Sequence, residues 1–169
     1  MSKAFTRESD DLPDEPMPRL PSALPPGTKN YLTPEGARRL REELTRLREA
    51  ERPKAETLPD ATERKRQLQT LGQRIAYLHQ SLQNGEVVQP PPAPWNSVKF
   101  GATVTVRDHG GREARYRIVG IDEADPDCDS VSWLSPLARA LLNAGLGQRV
   151  RFQSPEVEQQ LEIVAIVYE

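Results

Sequence analysis

Between Asp60 and Gly85 the chain reads DATERKRQLQTLGQRIAYLHQSLQNG, and its apolar side chains decide what this segment becomes. Leu68, Leu71, Ile75, Leu78 and Leu82 recur at alternating intervals of three and four, the heptad seam of a helix that lies along a partner helix. Asp60 stands where a helix cap belongs, and Asn84-Gly85 supplies a stop. The partner lies upstream. Thr33-Pro34-Glu35 offers a hydroxyl cap, a proline in the first turn and an acid at the positive end of the helix. Leu40, Leu44 and Leu47 then carry an apolar stripe that Ala37 and Leu32 extend, while Pro53 should kink or unwind this arm. With Leu58-Pro59-Asp60 as the turn, residues 28–86 are expected to form an antiparallel coiled-coil hairpin.

The flanking segments differ in kind. Residues 1–27 hold six prolines and little to bury, which predicts a disordered or extended acidic tail. Pro90-Pro91-Pro92-Ala93-Pro94 marks residues 87–97 as a stiff linker, with a ligand for proline-binding domains as the sharper alternative. From Val98 onward the apolar period alternates. Ala102–Arg107 and Glu113–Ile121 read as strands around the turn His109-Gly110-Gly111, and Asp122–Asp129 reads as an acidic loop. Ser135-Pro136 caps a short helix over Leu137–Asn143. Two further strands, Gln148–Gln153 and Gln160–Tyr168, flank a turn at Ser154-Pro155. Residues 98–169 are thus a small, mostly antiparallel α+β domain, and the whole chain is α+β.

Composition narrows the function. Hydrophobic residues make up 36% and charged residues 28% of the 169, lean for one large core. The lone Cys128 excludes an internal disulfide and fits a reducing compartment. No apolar run reaches the roughly 18–20 residues that span a bilayer, and Met1 to Asp14 lacks a signal-peptide core. A cytoplasmic protein without membrane contact is expected. Residues 1–27 carry net charge −2, residues 28–85 carry +4 and residues 86–169 carry −4. That is no stand-alone DNA binder, but it suits a module brought near nucleic acid by a protein partner.

Motifs for nucleotide binding, metal-binding cysteine pairs and a nucleophile elbow are all missing. His79 and His109 stand alone and read as surface residues. Asp125-x-Asp127-x-Asp129 has a calcium-loop spacing, yet Ser130 replaces the needed glycine and Pro136 the closing glutamate, so a solvated loop is the better reading. At the hairpin tip, Asp60 and Glu63 lie on one side of a helix start. They could hold a divalent cation between them, or simply form a variant capping box. Arg64-Lys65-Arg66 favours the cap, since each positive charge opposes a bound cation by about 1–4 kcal/mol.

Three blocks resemble the GreA/GreB family of bacterial transcription elongation factors, its GreB branch more than its GreA branch. One runs from Leu32-Thr33-Pro34-Glu35-Gly36 through Leu40, Glu43-Leu44 and Glu51-Arg52-Pro53. The second joins Phe100-Gly101-Ala102 to Arg117-Ile118-Val119-Gly120 and Asp122-Glu123; the third is Ser135 to Leu142, followed by Gly147. The resemblance implies an FKBP-like carboxy-terminal domain docking at the rim of the secondary channel of RNA polymerase. Ser135, Pro136, Leu137 and Arg139 would lie at the contact, and the chain would act as a monomer. It implies a hairpin that enters the channel, with Asp60 and Glu63 matching two acids that help hold a second Mg²⁺ in the polymerase active site, and Thr62 standing for a serine. Arg64, Lys65 and Arg66 would then lie near nucleic acid, giving indirect contact with nascent RNA.

Two departures stand out. The family's residues after the glutamate become Arg64-Lys65-Arg66-Gln67, and both arms are roughly two turns, about 11 Å, shorter than the usual members'. Magnesium coordination works only at about 2.0–2.1 Å, so a shorter hairpin leans the reading towards a non-cleaving regulator over a cleavage stimulator. The factor itself is not expected to be an enzyme. Prolyl isomerisation by the FKBP-like domain is the competing activity, but Phe100, Tyr116, Trp133, Phe152 and Tyr168 are scattered rather than set around one pocket. A generic coiled-coil adaptor would leave the Ser135–Leu142 block without a purpose.

Overall fold

The computed structural model describes residues 24–153, 155 and 158–169. The expected tail lies almost wholly outside the described residues, as does most of the turn around Ser154-Pro155. The chain opens with β1 (Asn30–Leu32), after which Thr33 caps α1 (Pro34–Arg46) by accepting the Gly36 N–H at 2.9 Å. α1 runs into a π-helical turn (Leu47–Glu51) and then α2 (Arg52–Glu56). The wide turn answers to Pro53. Its ring crowds the carbonyl four residues back and it lacks an N–H, so the preceding turn unwinds and the Arg52 N–H reaches back five residues to Leu47 O. The returning arm is the single helix α3 (Ala61–Asn84), capped by Asp60 and ended at Gly85.

Two short strands that the sequence reading missed close the base of the hairpin. β1 pairs in parallel with β2 (Gly85–Val87), immediately after α3. Leu32 therefore extends the apolar stripe from a strand rather than from the helix. Ala37, Leu40 and Leu47 meet Ile75 and Leu78 in one buried cluster, with Leu44, Leu71 and Leu82 half-buried around it. The seam read from the sequence is the seam of the structure, but it is deepest at the base: Leu78 is fully buried while Leu68, nearer the tip, is half-exposed. Arg74 ties the arms from outside, donating to Glu43 through Nε at 2.9 Å and Nη2 at 3.0 Å.

The carboxy-terminal half is a five-stranded sheet in the order β5–β4–β3–β7–β6. Its strands are β3 (Ala102–Arg107), β4 (Glu113–Val119), β5 (Ser130–Ser132), β6 (Arg149–Gln153) and β7 (Glu158–Tyr168). The pairings are antiparallel except β4 with β5, so the sheet is mostly antiparallel, as expected. β5 was not foreseen; three residues after an acidic loop carry too little pattern to be read as a strand. The loop itself tightens into 3₁₀ turns at Ile121–Glu123 and Pro126–Cys128. α4 (Pro136–Leu141) packs Ala138 and Leu141 onto Val104, Ile118 and Ile163. The proline linker is anchored at its far end, where Trp95 packs on this core, sets its ring tilted against that of Tyr168 with centroids 5.4 Å apart, and donates to Pro91 O.

No helix among the described residues is long and apolar enough to cross a membrane. The burial gradient along α3 sets a stability order. Leu78→Ala should lose about 2–5 kcal/mol in urea unfolding, whereas the half-exposed Leu71→Ala should lose only about 1 kcal/mol. Equal losses would mean the hairpin packs as tightly at mid-length as at its base.

Candidate functional site

At the hairpin tip the Asp60 carboxylate accepts the Glu63 N–H at 2.7 Å, and Glu63 accepts from the Gln67 side chain one turn on at 2.8 Å. Asp60 thus caps the helix it begins, while Glu63 is engaged by an exposed side chain of the same helix. The three cations that follow diverge. Arg64 folds back and donates to Leu58 O at 2.7 Å, fastening the turn, while Lys65 and Arg66 face solvent. Among the described residues no group of three or more His, Cys, Asp or Glu could hold a metal ion. Two carboxylates alone would leave most of an octahedral magnesium shell to other ligands. By themselves, these residues do not fit a resident metal.

On the carboxy-terminal domain, Ser135 caps α4 by accepting the Ala138 N–H at 3.1 Å. Pro136 and Arg139 are exposed, whereas Leu137 is half-buried against the core. The block therefore combines a structural cap, a core contact and two surface side chains on one short helix. Asp125, Asp127 and Asp129 form no cation cradle: Asp125 accepts the Asp127 N–H, and Asp129 adopts a left-handed conformation that turns the chain into β5. His79 and His109 are exposed, as expected. Phe100 and Trp133 both pack their rings on Tyr31, while Tyr116, Phe152 and Tyr168 lean on the sheet core. These aromatics do not converge on one pocket.

The feature the sequence reading missed is the junction between hairpin and sheet. Asp122 was read as loop, yet its carboxylate accepts from the Tyr77 hydroxyl, the Ser81 hydroxyl and, at 3.3 Å, the buried Asn30 amide. Its neighbour Glu123 accepts the Thr33 N–H at 2.8 Å and the Thr33 hydroxyl. Arg117 reaches from β4 to Glu35 at 2.8 Å. Close approach is enforced by small residues: a Cβ at Gly120 would sit 2.1 Å from Tyr31 O, and one at Gly36 would overlap the Glu123 carboxylate. Asp122-Glu123 did belong to the blocks that carry the family resemblance. Nothing in the local pattern says that two acids in an acidic loop would face donors some 40 to 90 residues away.

The comparisons with known proteins agree with one another. A family model described as "Transcription elongation factor, GreA/GreB, C-term" matches residues 92–168. Transcription elongation factor GreB of Pseudomonas aeruginosa is 40% identical, over 85% of this chain and 95% of its own length. GreB of Neisseria meningitidis serogroup B is 37% identical over 83% and 95%. GreA of Alkalilimnicola ehrlichii is 38% identical over 83% and 99%. Among solved structures, a prokaryotic transcription elongation factor GreA/GreB from Nitrosomonas europaea aligns at 23% identity over 83% of this chain and 99% of its own, with a TM-score of 0.42.

Two outcomes follow from the geometry. Asp60→Ala should destabilise the protein by about 1 kcal/mol through loss of the cap, measured by urea unfolding; no change would free the tip acids from a structural role. At the junction, the hydrogen bond from Arg117 holds the Glu35 carboxyl below its ordinary range. A lowered folded-state pKa contributes stability above the unfolded value, near about 4.3, and that contribution disappears as pH falls through the folded pKa. Arg117→Gln should therefore flatten the acid limb of the stability profile, and an unchanged limb would show that the pair is fully screened.

Proposed function

The chain belongs to the GreA/GreB family of transcription elongation factors, and from that premise we propose that it docks on RNA polymerase at the secondary-channel rim and modulates elongation without stimulating transcript cleavage. Residues 98–169, FKBP-like in this reading, are the docking domain, with Pro136 and Arg139 at the contact and Ser135 and Leu137 holding their helix in place. Residues 28–86 form the hairpin that enters the channel, and residues 87–97 the linker. The factor works as a cytoplasmic monomer, catalyses nothing itself, and meets nascent RNA indirectly through Arg64, Lys65 and Arg66.

The observation that carries the non-cleaving reading is the state of the tip acids. Asp60 is engaged as the cap of α3 and Glu63 by Gln67, on arms of only 23 and 24 residues. At 1.5 Å per residue such arms extend about 35 Å. Coordination is short-ranged, so a carboxylate even a few Å short contributes nothing to a polymerase-bound magnesium. In this reading the hairpin acts by occupying the channel. Any Mg²⁺ shared with the polymerase would have to take the carboxylate oxygens of Asp60 and Glu63 that the helix leaves open.

Incubation with a stalled, backtracked elongation complex tests this. Slowed nucleotide addition with no shortened transcripts is the expected result. Shortened transcripts that vanish in the Asp60→Asn/Glu63→Gln double variant would make the tip a metal clamp and defeat the reading. For docking, the exposed Pro136 allows a clean test: Pro136→Arg should weaken polymerase binding about tenfold, roughly 1.4 kcal/mol, with the melting temperature unchanged. Loss of binding and stability together would reduce the block to a helix cap.

A further inference from the structure

The hairpin and the sheet domain have separate apolar cores: the cluster around Leu40, Leu47 and Leu78 shares no residue with that around Val104, Ile118 and Ile163. What joins them is the Tyr31 ring, set between Phe100 and Trp133 at 5.7 and 5.0 Å, and a set of polar contacts. A single aromatic wedge allows rotation about itself. Direction must come from the polar contacts, because hydrogen bonds are directional and apolar contact is not.

Among those contacts, Tyr77 occupies a distinctive place. It lies mid-way in the base half of α3, one turn before Ser81, so both hydroxyls face the same Asp122 carboxylate. Its ring is held by Arg74, whose guanidinium lies 5.7 Å from the ring centroid and is itself clamped to Glu43 of α1. The line Glu43–Arg74–Tyr77–Asp122 thus connects both arms of the hairpin to the turn after β4. Beside it opens a cleft of about 440 Å³ between residues 24–28 and the end of α3, which Tyr77, Ser81 and Asp122 help to line. Burial and the Asp122 bond push the Tyr77 hydroxyl above its ordinary range.

We propose that Tyr77 is a positioning residue: by holding Asp122 it fixes the direction in which the hairpin leaves the sheet domain, and hence where the tip arrives inside the polymerase. The second half of this statement rests on the docking reading above; the first half does not. Ser81, Asn30 and Thr33 contribute contacts close to the wedge, and Arg117 ties the sheet to Glu35 in the first turn of α1. Tyr77 is the donor placed farthest along the helix from Gly85, so it has the longest lever against rotation.

Tyr77→Phe removes the hydroxyl and keeps the ring under Arg74, so the hairpin core should survive. Spin labels at Thr62→Cys on the tip and Arg151→Cys on β6, in a Cys128→Ser background, report hairpin direction in the free, full-length protein. With Tyr77 present, one narrow distance distribution is expected, and Tyr77→Phe should broaden it at least about twofold. Asp122→Ala should broaden it at least as much, and adding Tyr77→Phe to Asp122→Ala should do nothing further. A distribution in Tyr77→Phe as narrow as that of the parent overturns the proposal. In polymerase assays, Tyr77→Phe should keep affinity within about twofold while its effect on nucleotide addition falls about tenfold. Affinity and effect falling together would make Tyr77 part of the docking machinery and overturn positioning. If the parent protein neither binds polymerase nor alters nucleotide addition, the docking reading falls, and the distance measurement still decides the role of Tyr77.

Discussion

Two adjacent carboxylates, Asp122 and Glu123, hold the molecule in its shape. They sit on a single 3₁₀ turn at the end of β4 and accept donors from β1, from the cap of α1 and from two successive turns of α3. The Thr33 hydroxyl shows how economical this is: its oxygen accepts the Gly36 N–H in the first turn of α1 while its proton goes to Glu123. The same group therefore begins the hairpin and fastens it to the sheet. Glycine at positions 36 and 120 follows from that constraint, since any side chain there would occupy the space the carboxylate and the Tyr31 carbonyl already fill.

The hairpin beyond this junction is organised as a gradient. Its base is closed by the β1–β2 pairing and by Leu78, which has no solvent exposure, and the clamp of Arg74 on Glu43 follows. Towards the tip the packing thins, and polar devices take over: the π-helical turn before Pro53, the Arg64 bond to Leu58 O and the Asp60 cap. A hairpin built so is stiff where it joins the sheet domain and held at its end chiefly by local hydrogen bonds.

Much of this could be read along the chain. The heptad spacing from Leu68 to Leu82 gave the second arm, and Thr33-Pro34-Glu35 and Asp60 marked both helix starts, because caps and seams are local chemistry repeated at a fixed period. β3 was legible over its full length, Ala102–Arg107, from alternation alone. Short strands were not: β1, β2 and β5 have three residues each, too few for a period to show, and they exist because a neighbour offers a register.

The sequence by itself determined the hairpin, its caps, the change of period at Val98 and the family blocks, all written in neighbouring residues. Only the tertiary structure decided what Asp122 and Glu123 do. A carboxylate in an acidic loop looks like a solvated charge until the fold brings the Tyr77, Ser81, Asn30 and Thr33 donors to it. Tertiary structure also shows what the Asp60 side chain does in the free chain, where spacing left a cap and a cation ligand both open. Spacing places two acids on one side of a helix start, and the orientation of the oxygen relative to the Glu63 N–H, 2.7 Å away, shows the cap in place.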